Sequence, residues 1–218
     1  MNDDEIRAII YPPAFDEVMA LNPDLSDGSA LIYSREMPLE MRVRSRETPN
    51  QVGVIEKVIF NVFKLEEYGK SLYFKLQLLS DTDLFFHYLL VIGSENYPKI
   101  QENNQLDLSL ADFGNALLKL LDRFSEDPIQ YFAAFIMEND GTGILEFHQN
   151  LKYKHVEMLK LELYCADEEA IRKNMAFRFS IVQAKSTHVQ AKLRDIGMIL
   201  RTKNPALFDQ LAKTLPDL

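Results

Sequence analysis

Ser80-Asp81-Thr82-Asp83-Leu84-Phe85-Phe86-His87-Tyr88-Leu89-Leu90-Val91-Ile92 is the stretch that decides how the chain is read. Its Asp-Thr-Asp opening is turn chemistry, because short polar side chains hydrogen-bond to nearby backbone. The aromatic and branched run that follows, Phe85 to Ile92, predicts a buried strand with Phe85, Phe86, Tyr88 and Val91 as core residues. Just upstream, Leu72, Phe74, Leu76 and Leu78 alternate with Tyr73, Lys75 and Gln77, the period of two of a half-buried strand. Leu31 to Arg44 and Gly53 to Leu65 are also strand-like, so the front half is β-rich.

Downstream, Ser94 is expected to cap a short helix ending near Gln105, and Leu106 to Leu110 reads as another alternating strand. Asp112 is expected to cap a stronger helix, in which Phe113, Leu117, Leu120, Leu121 and Phe124 share one face and which Pro128 ends. Tyr131 to Met137, an Asp140-Gly141 turn, Ile144 to Phe147 and Val156 to Leu163 predict an antiparallel meander. From Asp167 no Gly or Pro interrupts until Gly197, which predicts one long helix stopped by Asn204-Pro205. On it Met175, Val182, Val189 and Ile196 form one seam row and Phe179, Ser186, Leu193 and Leu200 the other. Three short heptads with a polar Ser186 predict weak pairing with a partner helix, or folding back on the head.

The expected class is therefore α+β: an antiparallel β-sandwich or barrel head with a helix–turn–helix insertion, then a C-terminal helix. Residues 1–28 read as an acidic, flexible extension broken by Pro12-Pro13, Asn22-Pro23 and Asp27-Gly28; 29–166 as the head; 167–203 as a coiled-coil stub; 204–218 as a short helix or tail.

Charge narrows the function. Lys and Arg number 24 against 33 Asp and Glu, a net −9, and seven acids against one base in residues 1–28 supply six of those charges. Such a surface gives phosphate backbones and anionic membranes no electrostatic attraction, and no apolar run approaches the ~20 residues that span a bilayer. The single cysteine, Cys165, allows no internal disulfide, and the acidic Met1-Asn2-Asp3-Asp4-Glu5 start is unlike a targeting peptide, so a cytosolic protein is expected.

Catalytic motifs fail on their chemistry. Phe135-Ile136-Met137-Glu138-Asn139-Asp140-Gly141-Thr142 is similar to the strand and D-x-D-G-T turn of haloacid-dehalogenase-type phosphotransferases, but Glu138 stands where the nucleophilic Asp belongs. His87, His148, His155 and His188 share no metal-ligand spacing, and Glu162, Asp167 and Glu168 would raise the pKa of Cys165. No cofactor is expected.

The opening stretch resembles the hallmark D-D-T-D-P-F-F-x-Y-x-L-V-I of the head domain of the spindle assembly abnormal protein 6 family. Met175-Ala176-Phe177-Arg178-Phe179 is similar to that family's L-A-x-R-L helix start. With the order of elements, the resemblance covers roughly residues 31 to 182, and it is nearest to the short, rod-lacking paralogue of flagellated protists. It implies a non-enzymatic, self-assembling scaffold of the centriole, basal body or flagellar base, in the cytoskeleton. Its partners would be other copies and other basal-body or flagellar cytoskeletal proteins. It implies a head-to-head contact in which an apolar knob on a hairpin enters a pocket on the neighbouring head. Lys152-Tyr153-Lys154-His155 matches the knob, with Tyr153 at its tip and the lysines expected to meet an acidic rim. The helix contact would use Met175, Phe179, Val182, Val189, Leu193 and Ile196. A scaffold of DNA end joining with the same head is the alternative, against which the net charge speaks.

Overall fold

The computed structural model describes residues 18–43 and 53–206. Most of the expected acidic extension and C-terminal tail therefore lies outside the described residues. The chain divides into two units, one of them residues 24–171 and the other including the long helix from Arg172 onward.

In the first unit seven strands follow the apolar pattern: β1 (Ala30–Val43), β2 (Val54–Glu67), β3 (Lys70–Ser80), β4 (His87–Gly93), β5 (Tyr131–Met137), β6 (Thr142–Leu151) and β7 (Lys154–Cys165). They close into a barrel in the order β1-β2-β3-β4-β7-β6-β5. Every neighbour pair is antiparallel except β1 with β5, which run parallel from Glu40 opposite Ala134 to Val43 opposite Met137. The closure is narrow at β4–β7, where only Tyr88 with Cys165 and Leu89 with Tyr164 pair. Between β4 and β5 the chain inserts α1 (Tyr97–Asn104) and α2 (Leu110–Glu126), the expected helix pair.

The interior is filled from alternate strand positions, including Leu39, Val58, Phe60, Leu76, Leu78, Ile92, Phe135, Leu145, Phe147 and Leu161. The apolar stripe of α2, Phe113, Leu117, Leu121 and Phe124, joins that core. Gly114 allows the helix to come this close: a Cβ there would lie 2.1 Å from the Phe74 ring. Alanine is favoured in a helix interior by ~1 kcal/mol, but overpacking costs ~1–3 kcal/mol. Gly114→Ala is therefore expected to lower stability by up to about 2 kcal/mol in urea unfolding, where helix propensity alone would raise it.

Three expectations are corrected. Phe85 and Val91 are not core residues: they are 71% and 48% exposed, whereas Phe86 and Tyr88 are buried. Strand alternation sends 86, 88, 90 and 92 inward, and the opposite parity must point out of the barrel. Leu106 to Leu110 is not a strand, because Ser109 caps α2 by accepting from the Asp112 N–H at 3.2 Å, and Leu110 is already the first helical residue. Asp112 is thus the third residue of the helix and not its cap; its carboxylate accepts from the Ser109 hydroxyl at 2.6 Å.

The third correction concerns residues 24–28, which are bound to the barrel as a strap. Lys75 donates to the Asp24 carbonyl at 2.8 Å and to Asp27 at 3.3 Å, Gln77 donates to Asp24 at 2.8 Å, and Tyr73 donates to Asp27 at 2.6 Å. Lys75 and Gln77, which the alternation turns outward, are buried for this reason. Burial works to raise the Asp27 carboxyl, but bonds from Ser29 and Tyr73 and the Lys75 charge outweigh it and hold it well below the usual carboxylate range. Burial and the Asp27 bond push Tyr73 up to about 12. A depressed acid stabilises the fold above its unfolded value near pH ~4 and loses that contribution as pH falls through the folded value. A raised phenol contributes below pH ~10 and loses it towards pH 12. The melting difference between wild type and Asp27→Asn should accordingly be largest near neutrality and shrink on acidification towards pH 2.

The long helix α3 (Glu168–Lys203) supplies the second unit from Arg172 onward; it is begun by Asp167, whose carboxylate accepts from the Ala170 N–H at 2.7 Å.

Candidate functional site: a hairpin tip, a groove and a helix seam

The β6–β7 hairpin turns through Lys152 and Tyr153, between the paired residues Leu151 and Lys154. Tyr153 is 88% exposed, and the Lys152 ammonium lies 5.4 Å from its ring centroid. The base of the hairpin is braced: Phe132 stacks on His148 at 5.0 Å and meets His155 edge-on at 5.2 Å, and the Asn150 N–H donates to the Gln130 carbonyl at 2.7 Å. Burial works to raise the Glu146 carboxyl, but Lys160 at 2.8 Å and His148 at 3.3 Å outweigh it and hold it ionised beneath the same strands. The tip is thus a large side chain projected by a stiff support.

An apolar groove of about 270 Å³ lies where the α1–α2 connection, α2 and β7 meet. Leu106 and Leu108 line it because the connection is tied down: Leu108 O accepts from the Tyr97 hydroxyl at 2.8 Å and from Gln101 Nε2 at 2.7 Å. Met158 enters from β7 at a bulge. Phe147 pairs with Leu159 and His148 with Glu157, so Met158 is the extra residue, and such a bulge re-aims its side chain. Asn104 secures α1 against the same strand, donating to Lys160 O at 3.0 Å and accepting from Lys160 N at 2.6 Å. Phe113 and Leu117 complete the apolar lining.

The charged residues lining the groove are Lys119 and Arg123, both exposed. The acidic rim expected opposite Lys152 and Lys154 is therefore not what this groove offers. Among the described residues none of these four cations makes an ion pair, whereas Arg35, Arg42, Lys57, Lys64, Lys75 and Lys160 all do.

On α3, Met175 is half-buried, and Phe179, Val182, Val189, Leu193 and Ile196 are all exposed. A row of five exposed apolar side chains at heptad spacing is an unpartnered seam.

The enzymatic reading loses its geometry. Glu138 to Gly141 is the β5–β6 turn, where Asp140 accepts from the Thr142 N–H at 2.9 Å and the Thr142 hydroxyl at 2.6 Å, and Gly141 takes φ +86°. Among the described residues no group of three or more His, Cys, Asp or Glu could hold a metal, and no helix is long and apolar enough to cross a membrane. Buried His87 faces the Gln77 amide at 3.0 Å as a structural histidine.

Sequence reasoning named Tyr153 and the α3 seam residues but not the groove. Its lining comes from three separated segments, and only the Leu106-Leu108 alternation and the basic pair Lys119 and Arg123, one helical turn apart, hinted at it.

Similarity to known proteins follows the same lines. An N-terminal fragment of Leishmania SAS-6 containing part of its coiled coil superposes with a TM-score of 0.65 at 18% identity, over 82% of this chain and 98% of the fragment. The N-terminal coiled-coil dimer of C. elegans SAS-6 gives 0.59 at 12% identity, over 73% and 94%. The zebrafish (Danio rerio) spindle assembly abnormal protein 6 homolog is 25% identical over 165 residues, 72% of this chain but only 26% of the relative's length. Residues 31–163, which hold the barrel, the inserted helices and the hairpin tip, match the family of the centriolar protein SAS N-terminal domain, and the chain belongs to that family.

Proposed function

We propose that the chain is a non-enzymatic scaffold of the centriole, basal body or flagellar base that assembles by contacts between its own copies. One contact is the α3 seam, and the other inserts Tyr153 of one head into the groove of the next. The observation that carries this reading is the unpartnered seam, an apolar row in which Val182 is 63% exposed. A row of exposed apolar side chains at this spacing marks an interaction face. Membership of the centriolar family makes a second copy of the chain its natural partner, and other basal-body or flagellar cytoskeletal proteins would bind the assembled form.

About three heptads with Ser186 in the seam bury too little for an obligate dimer, so the mass of the chain should rise with concentration over the micromolar range. Val182→Glu places a charge in the seam and is expected to weaken that association at least tenfold in sedimentation equilibrium. It should leave unfolding of the head unchanged. A chain that is monomeric at every concentration, with or without the substitution, would remove the scaffold reading. In cells, a fluorescent tag is expected as puncta at the base of the flagellum, and a nuclear signal would count against it.

A further inference from the structure

The turn between β2 and β3 carries a second exposed aromatic. Tyr68 is 99% exposed at the tip of Glu66-Glu67-Tyr68-Gly69-Lys70, and it holds φ +49° beside Gly69 at +76°. Two adjacent positive φ values suit a two-residue hairpin, but a bulky aromatic is an unusual occupant of that region, where Asn, Asp or Gly sits at lower cost. Keeping an aromatic there, fully in water, suits a side chain meant for a partner. The flanking charge is opposite to that of the other tip: two carboxylates against one lysine, compared with Lys152 and Lys154 on either side of Tyr153. Glu66 lies 3.1 Å from Lys64, while Glu67 makes no ion pair among the described residues.

We infer that the groove lipped by Lys119 and Arg123 binds the Tyr68 hairpin of a second copy of this chain. Tyr68 would fill the apolar cleft beside Leu108 and Met158 while Glu67 faces the two unpaired cations. Tyr153 offers the same groove an aromatic of similar size with the wrong charge around it, so the two tips compete, and salt decides between them. The contact joins two different patches, tip to groove. One copy keeps its groove free and the other its Tyr68 tip, so association can propagate into a ring or filament. The inference rests on the reading of the chain as a self-assembling scaffold with this groove as receptor, and adds which tip enters it at low salt.

Sedimentation equilibrium of the full chain in 50 mM and 500 mM NaCl tests it. Tyr68→Asn, which suits the turn and removes the ring, is expected to weaken association about tenfold at 50 mM and to have little effect at 500 mM, where charges are screened beyond ~3–5 Å. In a Tyr153→Ala background, where the reversed groove cannot draw in the lysine-flanked tip, Glu67→Lys and Lys119→Glu/Arg123→Glu should each reproduce the loss, and combining them should restore binding, which neither misfolding nor a change of net charge would do. If Tyr68→Asn associates like wild type at 50 mM, or the combination fails to restore binding, the inference is overturned. Loss with Tyr153→Ala alone, at both salts, would leave the Tyr153 contact standing and this one not; loss with Tyr68→Asn alone would do the reverse. A wild-type chain monomeric in both buffers overturns both.

Discussion

Phe86→Ala is expected to destabilise the head by ~3–5 kcal/mol, while Phe85→Ala one residue away should change stability by less than ~0.5 kcal/mol. Phe86 is 6% exposed and sits in an aromatic cluster, 5.1 Å from the Tyr88 ring and 5.5 Å from Phe135, with Tyr88 and Phe135 themselves 4.7 Å apart in an edge-to-face arrangement. Truncation removes the transfer energy of the ring, leaves a cavity that a closed barrel cannot collapse, and forfeits edge contacts of ~0.5–1.5 kcal/mol each. Against a total stability of ~5–15 kcal/mol this approaches the whole margin. Phe85 is held outward by loop chemistry. The Ser80 hydroxyl accepts from the Thr82 and Asp83 N–H groups at 3.1 Å each, Asp83 Oδ1 accepts from the Phe85 N–H at 3.0 Å, and the Asp83 carbonyl accepts from the Phe86 N–H at 3.1 Å. Urea unfolding followed by circular dichroism measures both variants. Equal midpoints for the two would show that the parity of β4 is wrong.

Phe85, Phe86, Tyr88 and Val91 show how far sequence reading reaches. Phe85 to Ile92 reads as a strand because its side chains are aromatic and branched, and β4 is there. Which face each residue takes depends on where the turn stops, and that is set by hydrogen bonds of Ser80 and Asp83 that period-two counting does not weigh. Lys75 and Gln77 failed for another reason. Alternation sends them outward, as it should, but a strap some fifty positions earlier in the chain covers that face. Leu106, Leu108 and Leu110 alternate like a strand although two of them line a groove and the third begins a helix. The overriding signal, Ser109 three residues before Asp112, is a capping pattern legible in the sequence. By contrast α2 and α3 were legible because a helix carries its own periodicity and its own stops, Pro128 and Asn204-Pro205, within one local window. The groove was not, since Met158 reaches it through a bulge and α1 packs on β7 from elsewhere in the chain.

Tyr153→Ala is expected to weaken head-to-head association without touching the fold. The side chain is exposed, so its removal leaves no cavity in the isolated head. Burying a large apolar side chain contributes ~1.5–3 kcal/mol, and at ~1.4 kcal/mol per decade that is a 10- to 100-fold weaker contact for each knob lost. A twofold head contact would seat both knobs in both grooves and lose two of them, which multiplies to ~10²–10⁴-fold. Tyr153→Phe separates packing from hydrogen bonding, since it should be near neutral where the phenol oxygen stays wet at the groove mouth and costly where that oxygen is buried against a partner. Ionic strength supplies the sign. Lys152 and Lys154 would approach Lys119 and Arg123 in this contact, and screening like charges strengthens association, so the Tyr153-dependent part of self-association should grow between 50 and 500 mM NaCl. A Tyr153-dependent contact that weakens with salt would mean that the lysines meet carboxylates, and hence that the receptor is a different surface. No dependence on Tyr153 at either salt would leave the helix seam and the Tyr68 hairpin as the means of assembly.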